Sequence, residues 1–267
     1  MDALFASYII KSDKKFKETM NTNRHINLLW TGGWDSTFQL LQLLIIERCE
    51  VTPYYIIDYD RKSTKAELNA MELIQKQIVE QHSFTKEFLQ PLQFFNIDDI
   101  PQNEAITKAY EAIQNENFIG HQYEWLARFC EFKGISELQL CIFKDGRVDA
   151  AIADFKTFNQ DEPDIFYIDK EHKGKREYTL FKYFTFPILN LSKHKIKIIT
   201  QTQNLSDIMA LTWFCHRPTK NMKPCGKCHP CLYTAKEGLG SRIPLKSRIR
   251  GIIKKEKIKI KAKLKKR

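Results

Sequence analysis

"INLLWTGGWDSTFQLLQLL", residues 26–44, decides the fold. An apolar run stops at Thr31-Gly32-Gly33-Trp34-Asp35-Ser36-Thr37, and a second begins at Phe38. The first run, Ile26–Trp30, reads as a strand. The second reads as a helix from about Ser36 to Arg48, apolar on nearly all sides and therefore buried. A strand that ends in Gly-Gly and feeds a helix makes a nest of backbone N–H groups at the helix N-terminus. Such a nest suits phosphate or pyrophosphate. The glycines let an anion come close because no Cβ stands in its way. Thr31, Ser36 and Thr37 add hydroxyls. Asp35 is out of place beside a bare anion but fits where Mg2+ accompanies the phosphates, since that ion takes carboxylate and phosphate oxygens together. The reading without a ligand is a glycine turn in which Asp35 and Ser36 cap a helix.

Outward from this turn the chain alternates. "VTPYYIIDYD" (Val51–Asp60) reads as the next strand, with Pro53 near its beginning. Leu68, Met71, Ile74 and Ile78 then recur at helical spacing, with Thr64 and Glu67 as a capping box. Leu89–Ile97 reads as a third strand, and "NEAITKAYEAIQ" and His121–Gly134 as helices, the second ended by its glycine. Glu137–Phe143 is strand-like. The stretch 144–183 is charged, aromatic and weakly periodic, and yields no assignment. "PILNLSKHKIKIITQTQ" reads as a turn feeding a helix, with Ser192 as its cap. Strand–helix alternation predicts an α/β fold: a parallel sheet with helices on both faces.

Seven cysteines are present. Cys49, Cys130 and Cys141 lie in apolar segments and read as small core residues. Cys215, Cys225, Cys228 and Cys231 form C-x9-C-x2-C-x2-C. Four thiolates with tight two-residue gaps fit a closed tetrahedral Zn2+ site of structural type; four cysteines also hold iron–sulfur clusters. His216 and His229 are nearby alternatives.

The net charge is +11, from 43 basic and 32 acidic residues. Residues 246–267 hold 12 Lys/Arg and one acid, so they carry the whole excess, and the rest of the chain is balanced. This alternating basic and apolar tail suits RNA, DNA, an acidic partner or an anionic membrane surface, or else simply solvates the chain. It contains no aromatic residue for base stacking. No apolar run approaches the ~18 residues of a membrane span. The first residues lack signal-peptide features, so a cytoplasmic protein is expected.

The turn resembles the S-G-G-x-D-S signature of the PP-loop ATP pyrophosphatase superfamily, with Thr31 in place of the first serine. It is neither a Walker sequence nor G-x-G-x-x-G. Turn and cysteine cluster together resemble one branch, the 7-cyano-7-deazaguanine synthase family. "ALTWFCHRPTKNMKPCGKCHPC" is similar to its T-W-S-C and C-G-x-C-x-x-C signature, "IIDYDRKSTKAEL" to its D-Y-G-Q-R-H segment, and "FPILNLSKHKI" to its P-L-x-x-x-x-K-x-E-I segment.

The resemblance implies a PP-loop (HUP-like) nucleotide-binding domain over residues 26–205. An N-terminal extension (1–25) precedes it; a four-cysteine zinc module (206–245) and the basic tail (246–267) follow. It implies an ATP-dependent C–N ligase of queuosine biosynthesis. Such an enzyme adenylates the carboxylate of 7-carboxy-7-deazaguanine, releases pyrophosphate, forms the amide with ammonia and dehydrates it to the nitrile. Thr31, Gly32, Gly33, Trp34, Asp35, Ser36 and Thr37 would hold ATP and Mg2+. Leu29, Trp30, Asp58 and Tyr59 would flank the adenosine. Asp35, Ser36 and Lys193 would be the catalytic residues, and a homo-oligomer is expected.

The chain departs from the family where Asp60 replaces a glycine, where the histidine of D-Y-G-Q-R-H is lost, and where Y-P-D-C-R-x-E-F should follow the fourth strand. Asp149 and Asp154 are the nearest polar replacements there. These departures leave open another acceptor (a modified nucleobase or a protein) or a non-catalytic homologue that binds nucleotide or nucleic acid.

Overall fold

The computed structural model describes residues 24–142, 146–160 and 162–253. The expected N-terminal extension, apart from its last two residues, lies outside the described residues, as does the tail from 254 onward.

Five parallel strands form the main sheet: β1 (His25–Leu29), β2 (Glu50–Ile57), β3 (Gln93–Asn96), β4 (Leu138–Gln139) and β7 (Phe184–Thr185). Their order is β3-β2-β1-β4-β7, which puts β1 at the centre. Successive residues of β1 point to opposite faces. Ile26 and Leu28 join the core formed with α1 (Trp34–Leu41), α2 (Thr64–Gln81), α7 (Lys193–Thr202) and α8 (Ser206–Ala210), while Leu29 packs against the other core. That second core holds α3 (Glu104–Glu116), α4 (Gln122–Lys133) and α6 (Arg176–Phe181). The expected α/β architecture, a parallel sheet with helices on both faces and a cysteine cluster towards the C-terminus, is therefore what the chain adopts.

The near-continuous apolar surface of the second run in "INLLWTGGWDSTFQLLQLL" has its explanation here. Phe38, Leu40, Leu41, Leu43 and Leu44 are all buried. The helix continues as a wide π-turn over Gln42–Glu47 and stops at Arg48, which takes the left-handed conformation at φ 53°. Pro53 sits within β2, yet its missing N–H faces the side where β3 has not begun. Val51 bonds residues 88 and 90 there, and strand pairing resumes only at Tyr54↔Gln93.

Two expectations are corrected. Thr64 and Glu67 do not form a capping box. Thr64 Oγ1 donates to the carbonyls of Asp58 and Arg61, and Glu67 accepts from Tyr55 Oη at 2.8 Å. A buried tyrosine hydroxyl and a nearby guanidinium compete successfully for that carboxylate. The strand-like Glu137–Phe143 pairs only over Leu138–Gln139. Beyond it, the unassigned stretch supplies α5 (Arg147–Ala151) and an antiparallel hairpin of β5 (Lys156–Asn159) and β6 (Glu162–Ile168). Its Phe166 bridges Phe186 beside β7.

Candidate functional site

Strand order reverses between β1 and β4, because β1 leads on to β2 on one side while β4 leads to β7 on the other. In open α/β sheets the crevice beyond the strand C-termini at such a point is where ligands bind. The glycine turn follows β1 directly into it. Buried Gln39 of α1 donates to Gln139 of β4 at 2.9 Å and fixes the helix across this junction.

The turn is held by its own backbone needs. Gly32 has φ +65°, and a Cβ there would lie 2.8 Å from Met71 Cγ and 3.2 Å from the Glu67 carbonyl. Only glycine lets the strand turn this closely over α2. A Cβ on Gly33 would point instead towards the hydroxyls of Thr31, at 3.3 Å, and Ser36, at 3.9 Å. That space is a small polar cradle at the start of α1. The Thr31 N–H reaches Ser36 Oγ at 3.4 Å, and the Thr37 N–H closes the first helical bond to Gly33.

The other sequence-predicted residues divide into braces and exposed groups. Trp30 is fully buried; its indole N–H donates to Thr37 Oγ1 at 3.0 Å, tying strand end to helix start. Thr37 is fully buried too, so both act behind the cradle. Leu29 is half-buried in the second core. Asp58, just past β2, turns the chain by accepting from the Asp60 N–H at 3.0 Å, and Tyr59 stands 73 % exposed. Asp154 is exposed, and buried Asp149 is ion-paired to Lys156.

Asp35 is the unusual group. Its Oδ1 is buried and has no hydrogen-bond partner among the described residues. Burial raises its pKa, the Lys193 ammonium opposes that rise, and the Glu237 carboxylate adds to it. Lys193 Nζ lies 3.3 Å from Glu237 Oε2 and 5.1 Å from the centre of the Tyr233 ring. Lys193 is placed by the first turn of α7, capped as expected by Ser192 Oγ on the Lys195 N–H. Lys193, Tyr233 and Glu237 also line a cavity of about 590 Å³. A larger cavity of about 860 Å³ lies away from the turn, around the start of β7 and the hairpin. Cys141, read from sequence as core, comes just after β4; burial and then the Asp35 carboxylate push its thiol pKa up.

Tyr233 and Glu237 come from the cysteine module, and no sequence signal marked them. Helix α9 (His229–Thr234) starts at Cys228, and a π-turn over Ala235–Leu239 extends it. The module is also pinned to the turn through the Trp213 N–H, which donates to the Gly32 carbonyl at 2.8 Å.

The four thiols converge, with all four sulfurs within 4.8 Å of one another. Cys215 and Cys228 are 3.8 Å apart, Cys225 and Cys231 4.0 Å. The N–H groups of Lys227 and Cys228 both point at Cys225 Sγ, each at 3.3 Å, and that of Cys225 at Cys215 Sγ, at 3.2 Å. Amides aimed at sulfur favour thiolate, the form that binds metal. This cluster can hold a metal ion. His216 and His229 are not needed to complete it.

No protein-family model matches the chain, and no curated protein matches it. Among solved structures, the U34-tRNA thiolase NcsA from Methanococcus maripaludis with its [4Fe-4S] cluster is similar in shape. The match has a TM-score of 0.37 and 11% identity, over 87% of this chain and 89% of that one. At that level the likeness carries no functional weight.

Proposed function

We propose that the chain is an ATP-dependent adenylating enzyme of the PP-loop ATP pyrophosphatase type that cleaves ATP between the α- and β-phosphates. The observation that carries this reading is Asp35: a buried carboxylate oxygen without a hydrogen-bond partner among the described residues, beside a glycine cradle, at the strand-order reversal. An unpaired buried carboxylate is costly, and a cation that arrives with a ligand removes that cost. Gly32, Gly33 and the hydroxyls of Thr31 and Ser36 suit the departing pyrophosphate, with the Trp30–Thr37 hydrogen bond bracing the turn. Asp35 suits the Mg2+, which neutralises phosphate charge when bound. Leu29, the Trp30 backbone, Asp58 and Tyr59 stand at the strand ends where adenosine would lie. Lys193 suits the charge that builds on the phosphoryl group during transfer.

In the reaction, a carboxylate oxygen of the acceptor attacks the α-phosphorus and pyrophosphate leaves. Ammonia then displaces AMP from the acyl adenylate to give an amide. In the 7-cyano-7-deazaguanine synthase branch, a second ATP activates the amide oxygen, whose loss leaves the nitrile. The acceptor we propose is 7-carboxy-7-deazaguanine, supported by the motif similarities around Asp58, Lys193 and the four cysteines. A second reading keeps adenylation and changes the acceptor. It is favoured by the segment after β4, where the family's substrate-reading motif is missing and Asp149 of α5 is engaged by Lys156 of the hairpin.

For the cysteines we propose one structural Zn2+. Around a single ion with Zn–S bonds of about 2.3 Å, tetrahedral sulfurs lie about 3.8 Å apart. Two pairs at 3.8 and 4.0 Å, with all four sulfurs inside 4.8 Å, support a single ion, whereas an iron–sulfur cube inserts four metals between its sulfurs and spreads them.

The test is incubation of the purified chain with ATP, Mg2+, ammonia and 7-carboxy-7-deazaguanine, followed by mass spectrometry. Nitrile and amide products support the first reading. Acceptor-stimulated pyrophosphate release with another acid, and none with this one, supports the second.

A further inference from the structure

Residues 245–253, "LKSRIRGII", form a helix that follows the cysteine module. One side of it is docked. Ser247 and Gly251 are buried, and the helix meets the cysteine knuckle backbone to backbone: a Cβ on Gly226 would strike the Ser247 carbonyl, and one on Gly251 the Gly226 carbonyl. At about 100° per residue, Leu245, Ile249, Ile252 and Ile253 fall on the opposite side. Their exposures are 64%, 49%, 63% and 50%. Lys246 and Arg250 flank this apolar stripe on one edge and Arg248 on the other, all exposed.

Four large aliphatics in one outward stripe differ from scattered exposed residues, which need no explanation. The flanking charge narrows the choice of what covers them. Residues 254–267, outside the described residues, add nine Lys/Arg and one acid to the three cations of the helix. A second copy of the same helix would bring a second set of these cations against the first. A nucleic acid backbone would satisfy the cations but leave the aliphatic stripe in water, and residues 245–267 offer no aromatic side chain to a base. A surface of acidic phospholipid meets both requirements. Headgroups take the flanking cations, and the acyl boundary takes the stripe. No helix among the described residues is long and apolar enough to cross a membrane, so such a contact lies in the interface plane.

We propose that the exposed face of helix 245–253 is a docking surface for an anionic lipid bilayer. It would hold the enzyme at a membrane without spanning it, and it is independent of the reaction proposed for the glycine turn.

The test is flotation of the full chain with vesicles of pure phosphatidylcholine and of phosphatidylcholine–phosphatidylglycerol in equal parts. Binding is expected to the acidic vesicles alone and to weaken with salt. The double variant Ile249→Asp/Ile253→Asp should bind the acidic vesicles at least about tenfold more weakly. The variant Lys246→Gln/Arg248→Gln/Arg250→Gln should lose roughly a hundredfold. Both sets of side chains are exposed, so melting temperature and bound metal should match the wild type. Absence of vesicle binding would overturn the proposal. So would unchanged binding by the Ile variant, which would reduce the contact to the charge of the tail. A wild-type dimer that the Ile variant dissolves would overturn it in favour of a second copy.

Discussion

Lys193 Nζ, at the start of α7, lies 3.3 Å from Glu237 Oε2, in the π-turn that follows α9, and both act on the carboxyl of Asp35. The relationship joins a cation recognised by its motif to an anion with no motif at all. It would also make the module part of the proposed site rather than an appendage. Glu237→Gln should lower turnover about tenfold, the size of one charge-assisted hydrogen bond. It should also shift the acid limb of the pH–rate profile to lower pH. Glu237 raises the Asp35 pKa, so its neutral replacement lets Asp35 ionise at lower pH. A lower rate with an unmoved acid limb would detach Glu237 from Asp35.

Asp35→Asn should abolish turnover yet stabilise the ligand-free fold. Burial raises the folded-state pKa of Asp35 above its ordinary 3.8. The folded protein therefore binds that proton more tightly than the unfolded chain, and stability is lost as pH rises through the folded value. An amide avoids that loss. Thermal melts of wild type and variant should coincide near pH 3.5 and separate above it in the variant's favour, by about 2–4 °C for each kcal/mol recovered. A less stable variant at pH 7.5 would mean that Asp35 serves the fold and not a ligand.

The two glycines of the turn should fail differently. Gly32→Ala forces a Cβ towards Met71 and the Glu67 carbonyl at a left-handed φ, so it should lower stability by more than the roughly 1–2 kcal/mol of backbone strain alone. Gly33→Ala meets the Thr31 and Ser36 hydroxyls and, at an ordinary contact distance of 3.8 Å, the Trp213 carbonyl. It should melt close to wild type and weaken ATP binding, as calorimetric titration would show.

Purified protein should contain about one zinc per chain and no visible iron–sulfur absorbance. Cys228→Ser should lose the metal and unfold the module, since metal binding and folding are coupled in such sites. Because α9 and the π-turn that extends it carry Tyr233 and Glu237, the same variant should also weaken turnover. Protein that is metal-free yet unchanged in melting temperature would contradict this.

Much of this was legible in the sequence because period and punctuation agreed. Ile26–Trp30 and the apolar helix after Thr37 announce a buried strand and a buried helix, and Gly134 and Ser192 mark ends where they stand. The cysteine spacing announced the convergence of the four thiols directly. What stayed hidden depends on long-range contact. Glu67 follows Thr64 at capping-box spacing, but Tyr55 and Arg61, brought in by β2 and its loop, claim its carboxylate. Glu237 lies 44 residues from Lys193 in sequence, in a charged stretch indistinguishable from a solvated one. Two strand residues at β4 are too few to show a period, so the hairpin after it gave no signal.

The central claim is the bond that breaks in ATP. Phosphorus NMR of the complete reaction, with the acceptor that stimulates it, reads the products directly. AMP and pyrophosphate in equal amounts are expected, and Asp35→Asn should yield neither. ADP and inorganic phosphate from wild type, but not from Asp35→Asn, would contradict the account, because the glycine turn would then serve γ-phosphate transfer.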